Sequence, residues 1–291
     1  MTQVLKFGIP KGSLQDATIA LFKRCGWKIN VNGRSYFPDI NDPAISCALL
    51  RAQEMSRNVE HGTLDAGLTG KDWIAENNSD VHVVADLVYS KASARPARWV
   101  IAVAKDSPVQ KLEDLEGKTV STELVNYTKR FFQEKKISVN VEFSWGATEA
   151  KVVSGLADAI VEITETESTI RAHSLRIIYE MMQTHTQLIA NHDAWKDPFK
   201  KAKLEQIALL LKGALLGEKL VGLKMNVPQA GLDAIVGLLP SLNAPTVAPL
   251  YQSDWFAVET VVDSETVRDL IPQLMAKGAQ GIIEYPLNKV I

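Results

Sequence analysis

The chain has 291 residues, 46% of them hydrophobic and 23% charged, with a formal charge of −2. That length and interior suit two or three globular domains. The near-neutral balance and the absence of a basic block give no electrostatic case for nucleic acid, and no run of about 18 apolar residues offers a membrane span.

The start, MTQVLKFGIPKGSLQD, lacks the long apolar stretch of a secretory signal. Cys25 and Cys47 fall in no metal or redox spacing, so free buried thiols and a cytoplasmic location are expected. LKFGIP reads as a strand, and SLQDATIALFKRCG as a helix with Leu14, Ala17, Leu21 and Phe22 on one face. ISCALLRA and DAGLTG are further strands, and VHVVADLV is the continuous apolar kind expected in a parallel sheet. This βαβ rhythm fits an open α/β domain.

At YSKASARPARWVIAVAKDSP the texture shifts, and a fresh α/β set begins. KTVSTEL is a strand, NYTKRFFQEKK a helix, VNVEFSW a strand, ATEAKVVSGL a helix, AIVEI a strand and STIRAHSL a helix. A long helix around Lys200 to Lys212 follows LRIIYEMMQTHTQLIAN and has the length to run back onto the first domain. Two α/β lobes joined by crossovers, with a cleft between them, resemble the bilobal architecture of periplasmic solute-binding proteins, and ligands favour such interfaces. From Lys219 the order becomes βαββαβ, through KLVGLKMNV, PQAGLDAIVGLL, TVAPLY, DWFAVETVVD, SETVRDLIPQLMAKG and GIIEYPL. That is the ferredoxin-like sandwich of small regulatory domains. The expected division is 1–92 with 188–214, then 93–187, then 215–291.

The chemistry concentrates at DAIVEITETESTIR, residues 158–171, where a buried strand turns into a helix. Asp158, Ile160, Glu162 and Thr164 share one face of that strand. In an open α/β sheet ligands sit beyond the carboxyl ends of strands, which is where Thr164 to Thr169 fall. A phosphate there would gain unpaired amides and the hydroxyls of Thr166, Ser168 and Thr169. Carboxylates cannot serve that anion, but they suit a ribose diol or a divalent cation beside phosphates. A polar loop with a Ser/Thr cap is the plainer alternative. Lys11 and Gly12 in PKGSL offer a point charge at a strand end, although capping by Ser13 explains the pattern equally well. Arg51, Arg95 and Arg98 could add positive charge facing the same cleft. The five histidines are scattered without metal spacing.

KGSL, LDAGLTGKDWI at 64–74, GLADAIVEITETESTIRAHSLRII at 155–178 and the closing DWFAVET…GIIEYPLNKVI match one family in order and spacing. The chain resembles long-form ATP phosphoribosyltransferase with its carboxy-terminal, ACT-like regulatory domain. The resemblance implies condensation of ATP with phosphoribosyl pyrophosphate (PRPP), the first step of histidine biosynthesis, with Mg²⁺ as cofactor and histidine as inhibitor. Lys11, Arg51, Arg98 and Glu162 become the catalytic candidates. Asp158, Glu162, Glu165, Thr166, Glu167, Ser168 and Thr169 would hold PRPP, and Glu162 and Glu165 would lie near the metal. Lys11, Gly12, Arg51, Asp65, Gly67, Arg95 and Arg98 would line the ATP and pyrophosphate site. Thr246, Val247, Ala248 and Leu250 would contact histidine. A homo-oligomer, dimers assembling to a hexamer, is implied, without nucleic acid or membrane partners. The bilobal pattern leaves one alternative: a non-catalytic ligand-binding or regulatory protein with an amino-acid-sensing terminal domain.

This chain departs from the family at Glu167, where a Gly is usual. Glu167 is expected to point to solvent with an unstrained backbone, and Glu167→Gly to leave PRPP binding within roughly tenfold. An aromatic common in relatives is missing from TELVN at 122–126, which leaves ATP contacts near Leu124 open.

Overall fold

The computed structural model describes residues 3–33, 35–89, 96–240 and 244–291. Its first lobe runs β1 (Leu5–Lys11), α1 (Gln15–Arg24), the short β2 (Ile29–Asn30) and β3 (Asp39–Ile40), β4 (Ile45–Arg51), α2 (Ala52–Glu60), β5 (Ala66–Gly70), α3 (Lys71–Asn77) and β6 (His82–Leu87). The second runs β7 (Ala97–Ala104), β8 (Thr119–Thr122), α4 (Val125–Lys135), β9 (Asn140–Phe143), α5 (Thr148–Val153), β10 (Ala159–Thr164), α6 (Ser168–Ala172) and β11 (Leu175–Thr184). The chain returns through β12 (Thr186–Ala190) and α7 (His192–Lys196) into α8 (Pro198–Lys219). The last part holds β13 (Leu220–Pro228), α9 (Leu232–Val236), β14 (Thr246–Pro249), β15 (Trp255–Asp263), α10 (Ser264–Ala276) and β16 (Gln280–Pro286). Two compact units result: residues 1–23 with 27–208, and residues 24–26 with 209–291.

The first lobe's sheet has the order β4-β1-β5-β12-β6. β4, β1 and β5 are parallel, so Arg51, Lys11 and Gly70 end at one edge. β12 runs antiparallel to both β5 and β6. The expectation that VHVVADLV lies in a parallel pairing is therefore corrected: β6 is an edge strand whose partner runs the other way. Apolar runs report burial and say nothing of partner direction. On α1 the buried stripe is Thr18, Leu21 and Phe22, and the Thr18 hydroxyl is satisfied by the Leu14 carbonyl and the Tyr89 hydroxyl. Helix α2 lies so close to the sheet that a Cβ on Gly8 or Gly67 would stand 2.2 or 2.6 Å from Met55 Sδ. A side chain at either position would force Met55 to move.

The second lobe's sheet has the order β11-β7-β10-β8-β9, with β10 parallel to β8 and antiparallel to β7. Ala159 and Val161 join Trp99, Ile101, Phe131 and Phe132 in one core. Ile160 on the opposite face packs with Val152, Ile170 and Leu175 in another. β10 is thus covered on both sides, as its sequence requires.

The terminal unit carries an antiparallel sheet in the order β14-β15-β13-β16. α10 is capped by Asp263, whose Oδ1 accepts from the Glu265 amide at 2.8 Å, one residue before the expected start at Ser264. Cys25 and Cys47 are free and buried.

Candidate active site

Strand β10 delivers its last residues to a loop built by Thr164. The Thr164 hydroxyl accepts from the Glu167 amide at 2.8 Å, which turns the chain into α6. Thr166, Ser168 and Thr169 are solvent-exposed on the turn, and the Thr166 hydroxyl donates to Ser168 Oγ at 3.2 Å. Glu167 sits at φ 61°, the left-handed region, where a side chain costs roughly 1–2 kcal/mol and glycine costs nothing. The expectation of an unstrained, solvent-directed Glu167 is corrected. Its carboxylate is clasped by Arg98 at 2.6 Å and Arg171 at 2.9 Å. Those guanidinium donors, Arg171 first, hold its pKa below the usual carboxylate range.

Arg98 is correspondingly engaged. It lies opposite Thr164 in the β10–β7 pairing and also binds Glu180 at 3.1 Å. It stands beside the 164–169 turn as part of a charge-balanced chain, and is not an unpaired cation.

Glu162, half-buried two residues earlier, has a different environment. Burial pushes its carboxyl up to about 7, Glu149 adds repulsion, and the Ile163 amide donating at 3.2 Å opposes both. Glu123 at the end of β8 is also pushed up by burial, while the Gly146 amide donates to it and the nearby Asp72 charge raises it further. Ser121, in register with Ile160, shares the Glu162 face of the sheet. The hydroxyls of Ser121 and Ser144 are buried with no hydrogen-bond partner among the described residues. Buried polar groups left unpaired are costly. Glu123 and Glu149 were missed from the sequence; Glu123, immediately after a strand ending in the parallel direction, was the readable signal.

In the first lobe, Lys11 and Arg51 end adjacent parallel strands in register. Gly12 sits at φ 112°, a backbone that favours glycine, and Arg51 Nη1 lies 3.6 Å from where its Cβ would be, an ordinary contact distance. Lys11 Nζ rests 4.1 Å from the Tyr36 ring centroid, a cation–π contact that leaves its charge uncompensated. Neither cation has a carboxylate partner among the described residues. The carboxyl ends of β5 and β10 meet at Trp99. Its indole donates to Asp72, two residues past β5, at 2.7 Å, while its backbone pairs with Ile163 of β10.

Three expected site residues are placed elsewhere. Asp158 precedes β10, so a strand of six residues, about 20 Å at 3.3 Å each, separates it from the loop. Its carboxylate accepts from the Thr119 amide at 2.9 Å and pairs with Lys118. Asp65 lies at the amino end of β5, with Lys200 at 2.8 Å and the Lys6 amide at 2.8 Å. Gly67 is a packing glycine under Met55. Alternation along a strand gives the face of a residue, not the end at which a ligand sits, and that is why sequence grouping misplaced them. Arg95 lies outside the described residues.

Glu165 is half-buried in the loop. No group of three His, Cys, Asp or Glu side chains placed to hold a metal ion occurs among the described residues. The donor set around Glu162 is all oxygen and electrostatically crowded, which fits a hard divalent cation held mainly by substrate phosphates. In the terminal unit, Thr246, Val247 and Ala248 are exposed on edge strand β14, and Leu250 follows it, half-buried. No helix among the described residues is long and apolar enough to cross a membrane.

The family model described as ATP phosphoribosyltransferase matches residues 51–213, and one described as HisG, C-terminal domain, matches residues 217–289. The chain is 98% identical to an ATP phosphoribosyltransferase of Desulfosudis oleivorans over all 291 residues, the full length of both. It is 71% identical to the enzyme of that name from Desulfatibacillum aliphaticivorans, again over both full lengths. A solved chain of the ATP phosphoribosyl transferase (HisG:HisZ) complex from Thermotoga maritima matches with a TM-score of 0.62 at 25% identity, over 72% of this chain and 98% of that one. On its matched models and full-length relatives, the chain belongs to the ATP phosphoribosyltransferase family.

Proposed function

We propose that this chain joins ATP to PRPP, forming phosphoribosyl-ATP and pyrophosphate as the first step of histidine biosynthesis. Family membership carries the reaction class. The hydroxyl-rich turn at the carboxyl end of β10 carries the assignment of the donor, because its exposed Thr166, Ser168 and Thr169 side chains and loop amides suit a 5′-phosphate. The bond formed joins adenine N1 to the anomeric carbon, and the bond broken frees pyrophosphate. Adenine N1 is already nucleophilic, so the protein's work is orientation and charge stabilisation. Lys11 and Arg51, without carboxylate partners among the described residues, would face the departing pyrophosphate. Glu162 and Glu165 lie on the ribose side and would help hold Mg²⁺, which when bound would neutralise developing phosphate charge. Arg98 acts indirectly, by holding Glu167 and thus the shape of the loop.

Functionally, residues 1–92 with 188–214 and 93–187 form the two catalytic lobes, and 215–291 the regulatory domain. Histidine bound along Thr246, Val247, Ala248 and Leu250 would inhibit. Dimers assembling to hexamers are the proposed state, checked by light scattering with and without histidine.

The test is absorbance-monitored turnover with ATP, PRPP and Mg²⁺, with and without histidine. Turnover that histidine suppresses is expected. No turnover at saturating substrates would favour the non-catalytic ligand-binding alternative.

A further inference from the structure

Helix α3 carries two acidic side chains one turn apart, Asp72 and Glu76, and both are directed at the other lobe. Asp72 is 3% exposed. Its Oδ2 accepts from Trp99 Nε1 at 2.7 Å, and its backbone amide donates to the Thr184 hydroxyl at 3.2 Å. Glu76, 8% exposed, accepts from the Asn126 and Tyr127 amides at 3.0 and 2.8 Å and from the Asn126 side-chain amide at 3.0 Å. Those are first-turn amides of α4, whose N-cap residue, Leu124, supplies no side-chain acceptor. Glu76 therefore caps from one lobe a helix that belongs to the other. The Arg130 guanidinium of α4 returns a hydrogen bond to the Ala75 carbonyl. Trp73 meets Trp99 edge-on, with centroids 6.4 Å apart.

An apolar helix face would suffice to hold two lobes together, because such contact is non-directional and tolerates sliding. Buried carboxylates behave otherwise. Each loses its donors if the lobes rotate, and an unpaired buried acceptor is expensive. The donors also sit where the site is assembled. Trp99 pairs through its backbone with Ile163, next to the start of the phosphate turn, and the amides capped by Glu76 begin three residues after Glu123.

We propose that Asp72 and Glu76 clamp the second lobe at one angle to the first, and so position the 164–169 turn against Lys11 and Arg51 for reaction. Both are positioning residues, acting through Trp99 and α4. The kinetic consequence rests on the reading of the cleft given above; the clamp itself does not.

Spin labels at Arg57→Cys on α2 and Gln133→Cys on α4 would report the distance between lobes by pulsed dipolar spectroscopy, without substrates. Cys25 and Cys47 are buried with thiols pushed up, Cys47 to about 12, and stay unlabelled at neutral pH. A narrow distribution is expected for the parent. Glu76→Ala and Trp99→Phe should broaden it, and Glu76→Gln, which keeps an oxygen acceptor, should restore it. KM for PRPP should rise at least fivefold in Glu76→Ala, with Glu76→Gln close to the parent. An unchanged distribution in both broadening variants overturns the clamp. A broadened distribution with unchanged KM and kcat overturns the positioning role while the clamp stands. If Glu76→Ala fails to fold, Trp99→Phe supplies the same reading, since it removes one donor and keeps an aromatic ring in place.

Discussion

Two glutamates five residues apart behave in opposite ways. Glu167 is held charged by two arginines, whereas Glu162 is pushed up to about 7 by burial and by Glu149. In the native state Glu162 keeps a proton that the unfolded chain releases from about pH 4.5 upward. The native form therefore binds more protons across that window, and stability falls as pH rises through it. The loss amounts to roughly 3 kcal/mol at most, at 1.36 kcal/mol per unit. Glu162→Gln should flatten this slope between pH 4.5 and 7 in thermal denaturation; a slope identical to the parent's would refute the assignment. Glu167→Gly removes a left-handed side chain and a negative charge beside the proposed phosphate. Calorimetry should show PRPP binding equal or tighter, by no more than about tenfold or 1.4 kcal/mol, with the melting point not lowered. Weaker binding would mean that the Arg98–Glu167–Arg171 clasp shapes the turn more than its charge opposes the ligand.

At the level of elements, tight α2–sheet packing is the feature most open to a single-site test. Gly67→Ala would drive a Cβ to 2.6 Å from Met55 Sδ, and overpacking of this kind costs about 1–3 kcal/mol. Chemical denaturation should report that loss, and in a Met55→Ala background, where the clashing atoms are gone, the added cost of Gly67→Ala should shrink. Gly67 also shows where sequence reading stops. DAGLTG was legible as a strand, but a packing glycine and a ligand-facing glycine have the same letter. VHVVADLV was legible as a buried strand, yet its antiparallel pairing was not, because direction is set by the partner. LRIIYEMMQT has no element assigned to it from sequence, and the structure makes it the ten-residue β11, spliced into its sheet with two register shifts. By contrast, the terminal βαββαβ order was legible, since its last helix has marked ends.

The whole molecule repeats that lesson. Two α/β lobes and a ferredoxin-like unit follow from patterns local to each segment, and local patterns survive in a sequence. The candidate site could be proposed from sequence only where one stretch supplies it: the Thr164–Thr169 turn, and the Lys11–Gly12 strand end. Contacts joining distant segments, such as Glu76 with α4, Arg98 with Glu167, or Glu123 with the Gly146 amide, have no signature along the chain. The account depends most on the 164–169 turn receiving the donor's phosphate, and a crystal structure of this chain with PRPP tests that directly. It predicts the 5′-phosphate against the hydroxyls of Thr166, Ser168 and Thr169, with the pyrophosphate toward Lys11 and Arg51. A bound PRPP whose phosphate lies elsewhere, leaving that turn without ligand, would contradict it.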